Sequence, residues 1–283
     1  MIIVKLSGGL GNQMFQYAAS RSLALRNIDI LKFDLSWFKN LGDANRYFKL
    51  YVFNIINIAE ATEEEIRNLK PTRLLRFLKL YNQRMYFKEK YFNFDPEILK
   101  LKGDIYLDGY WQSEKYFKDF DSVIRQEFNL KNPISVEAQN ISLKIISDNS
   151  VSIHVRRGDY VSSPKTFAYH GVCSLPYYKQ AIDIMKGKLK NPVFYIFSDD
   201  MQWVKEKLKI DGDIVYVSRL EIKDYEEMIL MSQCKNNIIA NSSFSWWAGW
   251  LNKNHQKIVI APQKWFNLQK NIKDLIPEKW ICI

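Results

Sequence analysis

The chain has 283 residues, of which 47% are hydrophobic and 25% are charged, and glycine and proline are sparse. This composition is typical of a folded globular protein with one large or two ordinary domains, and it excludes long disordered regions. Lysine and arginine exceed aspartate and glutamate, which gives a formal net charge of +10. The excess favours anionic partners such as nucleotides, nucleic acid or acidic membrane surfaces.

The cysteines and the apolar runs indicate the cellular compartment of the protein. Cys173, Cys234 and Cys282 show neither a metal-ligand spacing nor a disulfide-like framework, so we expect them to be reduced. The apolar run that opens the chain is too short for a signal peptide. The longest charge-free stretch, Asn236–Asn252, contains several Asn and Ser residues, which argues against a membrane span. We therefore expect a cytoplasmic protein that does not cross a bilayer.

The first elements form a βαβ-like series. The pattern predicts a strand at Ile2–Leu6, a glycine loop, a helix to about Arg26 and a second strand at Leu31–Phe33 that ends at Asp34. Within the loop, Gly9-Leu10-Gly11 resembles a dinucleotide fingerprint, but Met14 holds the position of the third glycine. A tight turn that needs positive φ and a close approach to substrate explain these glycines equally well.

A basic stretch follows. Thr62 and Glu65 have the spacing of a capping box, which predicts a helix start. From Arg67 to Lys90 there are eight Lys or Arg residues and one Glu, interleaved with Leu, Phe and Tyr. A membrane-surface helix has this pattern, as does a helical hairpin with a solvated basic face, and we favour the hairpin. We expect a basic helical insertion near residues 62–92.

The first half closes with a strand and a connection. Asp104–Asp108 reads as a strand that ends at Tyr110, Trp111 and Gln112. Aromatic and amide side chains at a strand end suit a sugar, and a place in the core is an equal alternative. Residues 131–149 are polar with a helical segment, so we predict domains at 1–148 and 149–283.

The second half alternates buried strands with helices, which predicts a parallel, doubly wound sheet. The predicted strands are Val151–Val155, Val193–Phe197, Ile214–Val217, Asn237–Ala240 and Ile258–Ile260. The predicted helices are Leu175–Lys190, Asp200–Leu208, Lys223–Cys234 and Phe244–Asn252. This half therefore reads as a Rossmann-type domain.

Three polar clusters follow the predicted strands of this half: His154–Asp159, Ser198–Asp200 and Asn241–Ser245. In parallel sheets, ligands bind beyond the carboxyl ends of the strands. Arginine forks bind anions in bidentate fashion, and a helix N-terminus with hydroxyls favours negative charge. The arginines after one strand and the serines at the helix start after another together predict a crevice for a diphosphate ligand.

Five segments carry a resemblance to a known family, the bacterial alpha-1,2-fucosyltransferases of glycosyltransferase family 11. The segments are Gly8–Tyr17, Tyr110–Phe117, His154–Tyr160, Phe197–Asp200 and Ser242–Ala248. They run nearly end to end in the right order. The His-x-Arg-Arg-x-Asp core is also similar to that of alpha-1,6- and protein O-fucosyltransferases, so the first and last segments are what narrow the resemblance to the alpha-1,2 branch.

The resemblance implies a GT-B-like α/β fold, with two Rossmann-type domains that face each other across a cleft. It implies that GDP-fucose binds the second domain, that fucose is transferred with inversion, and that no metal or other cofactor is required. The acceptor would be a galactose 2-hydroxyl on an oligosaccharide. We expect the C-terminal tail to remain with the second domain or to pack back on the first.

The resemblance also assigns the catalytic and donor-binding residues. Departure of GDP leaves negative charge on the β-phosphate, and Arg156 is our candidate to stabilise it. Asn12 is the catalytic candidate on the glycine loop, because related fucosyltransferases carry a similar Gly-Asn-Gln near the reaction centre. The expected donor-binding residues are His154, Arg156, Arg157, Asp199, Ser242, Ser243, Phe244, Ser245, Gly11 and Gln13.

Each assignment has a structural alternative. Either arginine could form only a salt bridge, and His154 could be a core residue. Asp199 could accept hydrogen bonds from guanine, or Asp199 or Asp200 could cap the following helix. The expected acceptor-binding residues are Asp34, Tyr110, Trp111 and Gln112. The general base stays unassigned among Asp159, His170, Asp34 and Asp108.

Two other classes remain open on sequence grounds. The glycine loop fits another nucleotide-sugar transferase or an oxidoreductase, although Met14 breaks the dinucleotide fingerprint. The net charge fits a nucleic-acid-binding protein, although no reader motif is present. A basic surface also suits peripheral contact with the anionic inner face of a bacterial membrane, where a lipid-linked acceptor would lie.

Overall fold

The structure is a computed structural model, and the chain forms two compact units. Its described residues are 1–39, 46–56, 59–72, 85–218, 221–268 and 270–283. The first unit comprises Met1–Asn132 with Asn271–Leu275, and the second comprises Pro133–Lys270 with Ile276–Ile283. Each unit contains its own parallel sheet, as expected for two Rossmann-type domains.

The first unit is built on a four-stranded sheet. Its strands are β1 (Ile2–Lys5), β2 (Leu31–Asp34), β3 (Tyr86–Lys88) and β4 (Ile105–Asp108). Its helices are α1 (Leu10–Asn27), α2 (Ser36–Lys39), α3 (Glu63–Leu69) and α4 (Asp121–Glu127). Short 3-10 helices span Leu50–Val52, Pro96–Lys100, Glu114–Tyr116 and Lys118–Phe120. The strand order is β2-β1-β4-β3 and every pairing is parallel.

Helix α1 is the central helix of this unit, and most of its residues are buried. It begins after Gly9, and Ile28 caps its C-terminus in a left-handed backbone conformation. Backbone N–H groups at this cap donate to the carbonyls of Ala24 and Leu25. The predicted capping box is confirmed, since Thr62 and Glu65 each accept a hydrogen bond from the other's backbone N–H.

The predicted helical insertion near 62–92 is only partly helical. Helix α3 covers Glu63–Leu69, but Tyr86–Lys88 forms a strand on β4 because Tyr86 buries its ring beside Tyr106. Residues 73–84 of the predicted insertion lie outside the described residues.

The second unit is built on a six-stranded sheet. Its strands are β5 (Ser150–Val155), β6 (Val193–Ser198), β7 (Asp213–Tyr216), β8 (Asn236–Ile238), β9 (Val259–Ala261) and β10 (Ile281–Cys282). Its helices are α5 (Val136–Ser147), α6 (Gly158–Ser162), α7 (Pro164–His170), α8 (Leu175–Lys188), α9 (Met201–Lys207), α10 (Asp224–Gln233) and α11 (Ser243–Leu251). All five predicted strands and all four predicted helices are present, whereas β10, α6 and α7 were not predicted.

The strand order of the second sheet is β10-β9-β8-β5-β6-β7, and every pairing is parallel. The order therefore runs outward from β5 in both directions, which is the doubly wound Rossmann arrangement. It reverses between β5 and β8, and the crevice at such a switch point is where ligands bind. The predicted α/β, GT-B-like fold class is confirmed, and the placement of a cleft between the units stays a prediction.

Strand β5 is buried along its whole length, although polar residues alternate with valine and isoleucine in its sequence. Val151, Ile153 and Val155 face the core that α8 covers. The alternate residues face the other side, where Ser152 accepts a hydrogen bond from Asn237 at 2.7 Å and the ring of His154 lies 5.6 Å from that of Phe244. This alternation aims His154 toward the start of α11.

The unit boundary lies between Asn132 and Pro133, whereas we placed it at 148/149. Helix α5 looks like a polar connection in sequence, but it packs on the second unit. Ser142 donates to Gln233 at 2.8 Å and the Ser135 N–H donates to Glu226 at 2.5 Å. The buried residues of α5, Ala138, Ile141 and Ile145, account for this placement.

The C-terminal tail is divided between the units. In Asn271–Leu275, which belongs to the first unit, Asp274 accepts a hydrogen bond from the Phe94 N–H and pairs with Lys115 at 2.6 Å. The last residues form β10 in the second sheet. No helix within the described ranges is long and apolar enough to span a membrane.

Candidate active site

Arg156 lies just beyond the carboxyl end of β5, next to the switch point of the second sheet. Its guanidinium pairs with Asp159 at 2.6 Å and with Asp199 at 2.9 Å, and it lies over the ring of Tyr160. Burial opposes the charge of Arg156, but Asp199 and Asp159 outweigh this effect and raise the pKa of the guanidinium. The side chain is held as a cation with about a third of its surface exposed.

Gly158 makes the approach of Asp199 sterically feasible. A Cβ at this position would stand 2.6 Å from Asp199 Oδ2. Asp199 Oδ1 accepts a hydrogen bond from the Arg157 N–H at 2.8 Å. Both oxygens of Asp199 therefore contact residues of the arginine turn, and its predicted role in guanine recognition stays a prediction.

Arg157 points to a different partner from Arg156. It pairs with Asp200 at 3.0 Å, and its guanidinium lies 4.0 Å from the centroid of the Trp203 ring. Asp200 also caps α9 by accepting the Trp203 N–H. Each arginine therefore has carboxylate partners of its own.

The arginine cluster consists of Arg156, Arg157, Asp159, Asp199 and Asp200. It contains two guanidiniums and three carboxylates, so its formal charge is negative before any ligand binds. Arg156 holds Asp159 through Nη2 and Asp199 through Nη1, so a diphosphate would meet a guanidinium that already has two carboxylate partners.

His154 is buried and neutral. Burial and the charge of Arg156 lower the pKa of its imidazole to about 3. Its Nδ1 has no hydrogen-bond partner in the part of the chain that the structure describes, which is rare for a buried polar atom. The predicted donor contact stays a prediction, and the orphaned nitrogen is consistent with it.

The predicted serine group at the start of α11 divides into two kinds of residue. Ser242 caps the helix by accepting the Phe244 N–H, and Ser245 is fully buried and donates to the carbonyls of Ala240 and Ser242. Ser243 and Phe244 are half-buried. Among the four, these two are therefore best placed to meet a ligand, together with the positive end of the helix dipole.

In the first unit, the first turn of α1 and the loop after β4 meet through an amide pair. Gln112 Nε2 donates to Asn12 Oδ1 at 2.8 Å. Gly8 adopts φ +76°, and a Cβ there would stand 2.7 Å from Asn12 Nδ2. Two residues that we assigned to catalysis and acceptor binding thus lie together, at the point where the order of this sheet reverses.

Gln13 and Gln16 hold the glycine loop from inside. Gln13 is fully buried, and its amide donates to the carbonyls of Gly8 and Tyr47 and accepts the Lys49 N–H. Gln16 likewise joins Ser7 to the Gly109 carbonyl. Gln13 is therefore not placed to contact a donor, because its hydrogen-bonding groups are used by the backbone, and Gly11 is also buried inside α1.

Tyr110 and Trp111 differ sharply in exposure. Tyr110 is 42% exposed, whereas Trp111 is 1% exposed and packs edge-on against Tyr116. The predicted stacking of Trp111 on an acceptor sugar is therefore wrong for this conformation, since its ring belongs to the core. Trp111 also has φ +56°, which is unusual for a bulky residue, and its buried Nε1 has no partner among the described residues.

The candidate general bases are not equally available. Asp34 is fully buried, where it accepts the Ser36 N–H and the Tyr106 hydroxyl and pairs with Lys70. Burial alone would raise the pKa of Asp34, but these partners outweigh it and lower the pKa. The expected contact of Asp34 with the acceptor is thus corrected, because the carboxylate is enclosed and stabilised as an anion.

The other three candidates retain some access. Asp108 accepts the Tyr86 hydroxyl and pairs with Lys5. Asp159 is paired with Arg156, and His170 stacks on Tyr160 at 4.6 Å between ring centroids. Asp159 and His170 therefore share the neighbourhood of Arg156, and the general base stays unassigned.

Sequence reasoning missed three supporting residues. Trp203 stacks on Arg157, and Glu89 binds the loop after β4. Burial raises the pKa of Glu227 to about 7. The hydrogen bond with Ser218 lowers this pKa, and the negative charges of Asp224 and Asp199 raise it further. A strongly shifted carboxyl near a site is a functional candidate. In sequence, Glu227 reads only as part of the acidic first turn of α10.

The comparisons with known proteins agree with this geometry. Both units have parallel sheets, and the arginine cluster lies at the switch point of the second, where ligands bind in such folds. The family described as glycosyl transferase family 11 matches residues 1–283. The chain belongs to glycosyltransferase family 11.

Two bacterial relatives are similar over almost the full length of both chains. An alpha-1,2-colitosyltransferase of Escherichia coli is 37% identical, with 100% of this chain and 99% of the relative covered. The O-antigen biosynthesis glycosyltransferase WbnK of Escherichia coli is 33% identical, with 98% of each covered. A galactoside alpha-(1,2)-fucosyltransferase 1 of Ateles belzebuth is 27% identical over 86% of this chain and 63% of its own length.

Solved structures support the fold. The GDP complex of the Arabidopsis thaliana FUT1 mutant R284K superposes with a TM-score of 0.53 at 12% identity, covering 91% of this chain and 69% of that chain. The alpha-1,6-fucosyltransferase NodZ co-crystallised with GDP gives a TM-score of 0.50 at 14% identity, with 87% and 91% covered. At these identities the likeness concerns the fold alone.

Proposed function

We propose that this chain is an inverting glycosyltransferase that moves L-fucose from GDP-fucose to the 2-hydroxyl of a galactose residue on a glycan. The observation that carries the proposal is Arg156, held beyond the end of β5, which neighbours the strand β8 that precedes α11, in a chain that belongs to family 11 throughout its length. The relatives named for alpha-1,2 transfer support the linkage.

In the proposed reaction the acceptor oxygen attacks the anomeric carbon as the bond to the β-phosphate oxygen breaks. The hydroxyl proton passes to a base, and the bonding electron pair leaves with GDP. Arg156 stabilises the negative charge that develops on the β-phosphate, and the start of α11 adds its dipole. Displacement of Asp159 or Asp199 by phosphate oxygens conserves the hydrogen bonds of the guanidinium. We expect no metal ion to be required, since the cation is supplied by Arg156.

Colitose is a second candidate for the transferred sugar. It is fucose without the 3-hydroxyl, and the relative that is 37% identical is named for its transfer. A site that hydrogen-bonds a hydroxyl rejects the deoxy analogue strongly, whereas a site without such a bond discriminates weakly. The ratio of kcat/KM for the two donors therefore identifies which sugar the site is built to hold.

The experiment is to incubate the purified chain with GDP-fucose or GDP-colitose and a panel of galactose-terminated glycans, with and without a metal chelator. Linkage is read by NMR. The matched control is the same acceptor with a 2-deoxy-galactose terminus, which we expect to remain unmodified. Transfer from GDP-fucose to O2 supports the proposal, and preferred transfer from GDP-colitose replaces fucose by colitose.

An O-antigen or capsule precursor is the acceptor we favour, because the relatives over the full length include an O-antigen biosynthesis glycosyltransferase. Such precursors are lipid-linked, and a net charge of +10 suits peripheral contact with an anionic membrane. Sedimentation with anionic vesicles at low salt tests this contact. If the protein remains in the supernatant, the membrane part of the proposal is abandoned and the transfer reaction is unaffected.

A further inference from the structure

Glu89 is the single acidic residue between Arg67 and Lys90, a stretch with eight lysines and arginines. A solvated basic face gives no reason for one carboxylate at this place. In the structure Glu89 directly follows β3, and its N–H donates to the Asp108 carbonyl at 2.9 Å. The main chain of Glu89 is thereby fixed beside the end of β4.

The side chain of Glu89 continues this connection into the loop after β4. Its two carboxylate oxygens accept separate backbone N–H bonds, Oε2 from Tyr110 at 2.7 Å and Oε1 from Trp111 at 3.0 Å. Hydrogen bonds to an ionised carboxylate are roughly twice as strong as neutral ones. One half-buried carboxylate therefore holds two consecutive amides of an otherwise irregular loop.

The loop that Glu89 holds is strained. Trp111 has φ +56°, a left-handed conformation that costs a bulky side chain free energy. Gly109 shows why the approach is so close, since a Cβ there would stand 2.4 Å from Glu89 Cβ. Contacts with the surrounding structure hold Trp111 in this strained conformation. Glu89 contributes directly, because it accepts a hydrogen bond from the N–H of Trp111 itself.

The strain has a directional consequence. The backbone turn at Trp111 sends its ring into the core and leaves Tyr110 exposed on one side. On the other side, it places Gln112 where its amide donates to Asn12 Oδ1 at 2.8 Å. A relaxed backbone at Trp111 would turn Gln112 away from Asn12.

We propose that Glu89 is a positioning residue for the acceptor-side loop, acting through the Tyr110 and Trp111 amides to set Gln112 against Asn12. The proposal rests on the function proposed above, in that Tyr110 and Gln112 are taken to bind the acceptor and Asn12 to lie near the reaction centre. Glu89 itself does not touch the reacting atoms. Its removal changes the orientation of the loop and leaves the arginine cluster of the other unit intact.

The experiment compares Glu89→Gln and Glu89→Ala with Glu97→Gln, an exposed carboxylate of the same unit that pairs only with Lys100 among the contacts described for its side chain. Glu89→Gln keeps one acceptor oxygen, and Glu89→Ala keeps none. Gly109→Ala is a second route to the same effect, since its Cβ displaces Glu89 without removing the carboxylate. Hydrogen exchange of residues 105–117, acceptor kinetics and donor hydrolysis without acceptor are measured for each.

We expect exchange at the Tyr110 and Trp111 amides to speed up about tenfold in Glu89→Gln and more in Glu89→Ala. Acceptor kcat/KM should fall on the order of 10- to 100-fold, the usual effect of misplacing a substrate-orienting group. The KM for the donor and the rate of donor hydrolysis should stay at the wild-type value. Glu97→Gln should match the wild type throughout.

Two outcomes overturn the proposal. Unchanged exchange at Tyr110 and Trp111 shows that Glu89 does not hold the loop, and an equal loss of donor hydrolysis and transfer shows that it acts only on overall stability. A wild-type chain that transfers no sugar overturns the proposed function instead, and in that case the exchange data still decide whether Glu89 holds the loop after β4.

Discussion

The strand ends of the two units solve different physical problems. Beyond β5 and β6 in the second unit, charged side chains are 17–34% exposed and paired with each other. Beyond β1 and β4 in the first unit, amide side chains are largely buried and bound to the backbone. The first arrangement can trade partners with a ligand, and the second holds a loop in one shape.

This difference separates function from stability. Partly solvated ion pairs contribute little to the free energy of unfolding, so breaking them for a ligand costs little free energy. Buried amides with several backbone partners contribute more, because removing one leaves buried donors and acceptors unsatisfied. We therefore expect substitutions in the arginine cluster to affect activity first and substitutions of the buried amides to affect folding first.

The largest effect is expected for Arg156→Ala. Loss of the cation that stabilises the leaving phosphate should lower the transfer rate on the order of a hundredfold or more. The free energy of unfolding should change by less than about 1 kcal/mol, because the lost ion pairs are partly solvated. Transfer kinetics and thermal unfolding measure the two quantities on the same sample.

Arg125→Ala is the matched control, since Arg125 pairs with Asp121 along the surface of α4. Its transfer rate should equal that of the wild type. Near-normal transfer by the Arg156 variant would remove the assignment of Arg156. A large loss of stability in that variant would break the contrast between the two strand ends.

An intermediate effect is expected for Gln13→Ala in the first unit. The amide of Gln13 serves two carbonyls and one N–H around the glycine loop. Its removal should lower the free energy of unfolding by about 2 kcal/mol, which is the range for buried groups left without partners. Chemical denaturation measures this loss.

Gln126→Ala, at an exposed position of α4, is the control for the same change of side chain and should be within about 0.5 kcal/mol of the wild type. A Gln13 variant that unfolds like the wild type but loses donor affinity would reverse our interpretation. In that case Gln13 would contact the donor, as we first expected from the sequence.

The sequence predicts the second unit better than the first, for a physical reason. Its strands are short, apolar and bounded by polar residues, so their positions follow from local pattern. The pairing of Arg156 with Asp199 depends on two strand ends separated by more than forty residues, and Gly158 permits it only through a close approach. Local pattern indicates the charges but not which carboxylate each arginine takes.

Amides are harder to assign from sequence than charges. Asn12, Gln13 and Gln16 are spaced along one helix start, yet Asn12 meets another loop while Gln13 and Gln16 are buried supports. Trp111 was an even choice between ligand and core, and its left-handed backbone decided in favour of the core. The backbone torsion at such a residue is set by tertiary partners such as Glu89. Local sequence propensity carries no information about these partners.

The smallest effect is expected for Asp199→Asn, and it distinguishes two roles of one carboxylate. If Asp199 recognises guanine, the substitution should abolish the preference for GDP over ADP. The structure instead has Asp199 on Arg156 and the Arg157 N–H, so we expect affinity for both nucleotides to change in parallel by about tenfold or less, which is the size of one charge-assisted hydrogen bond. Asp200→Asn, which alters the partner of Arg157, is the matched control, and calorimetric titration with GDP and ADP measures both variants. If the variant still prefers GDP over ADP and its affinity for both changes in parallel, Asp199 is one of the carboxylates that orient Arg156. If only Asp199→Asn loses the preference for GDP over ADP, Asp199 recognises guanine.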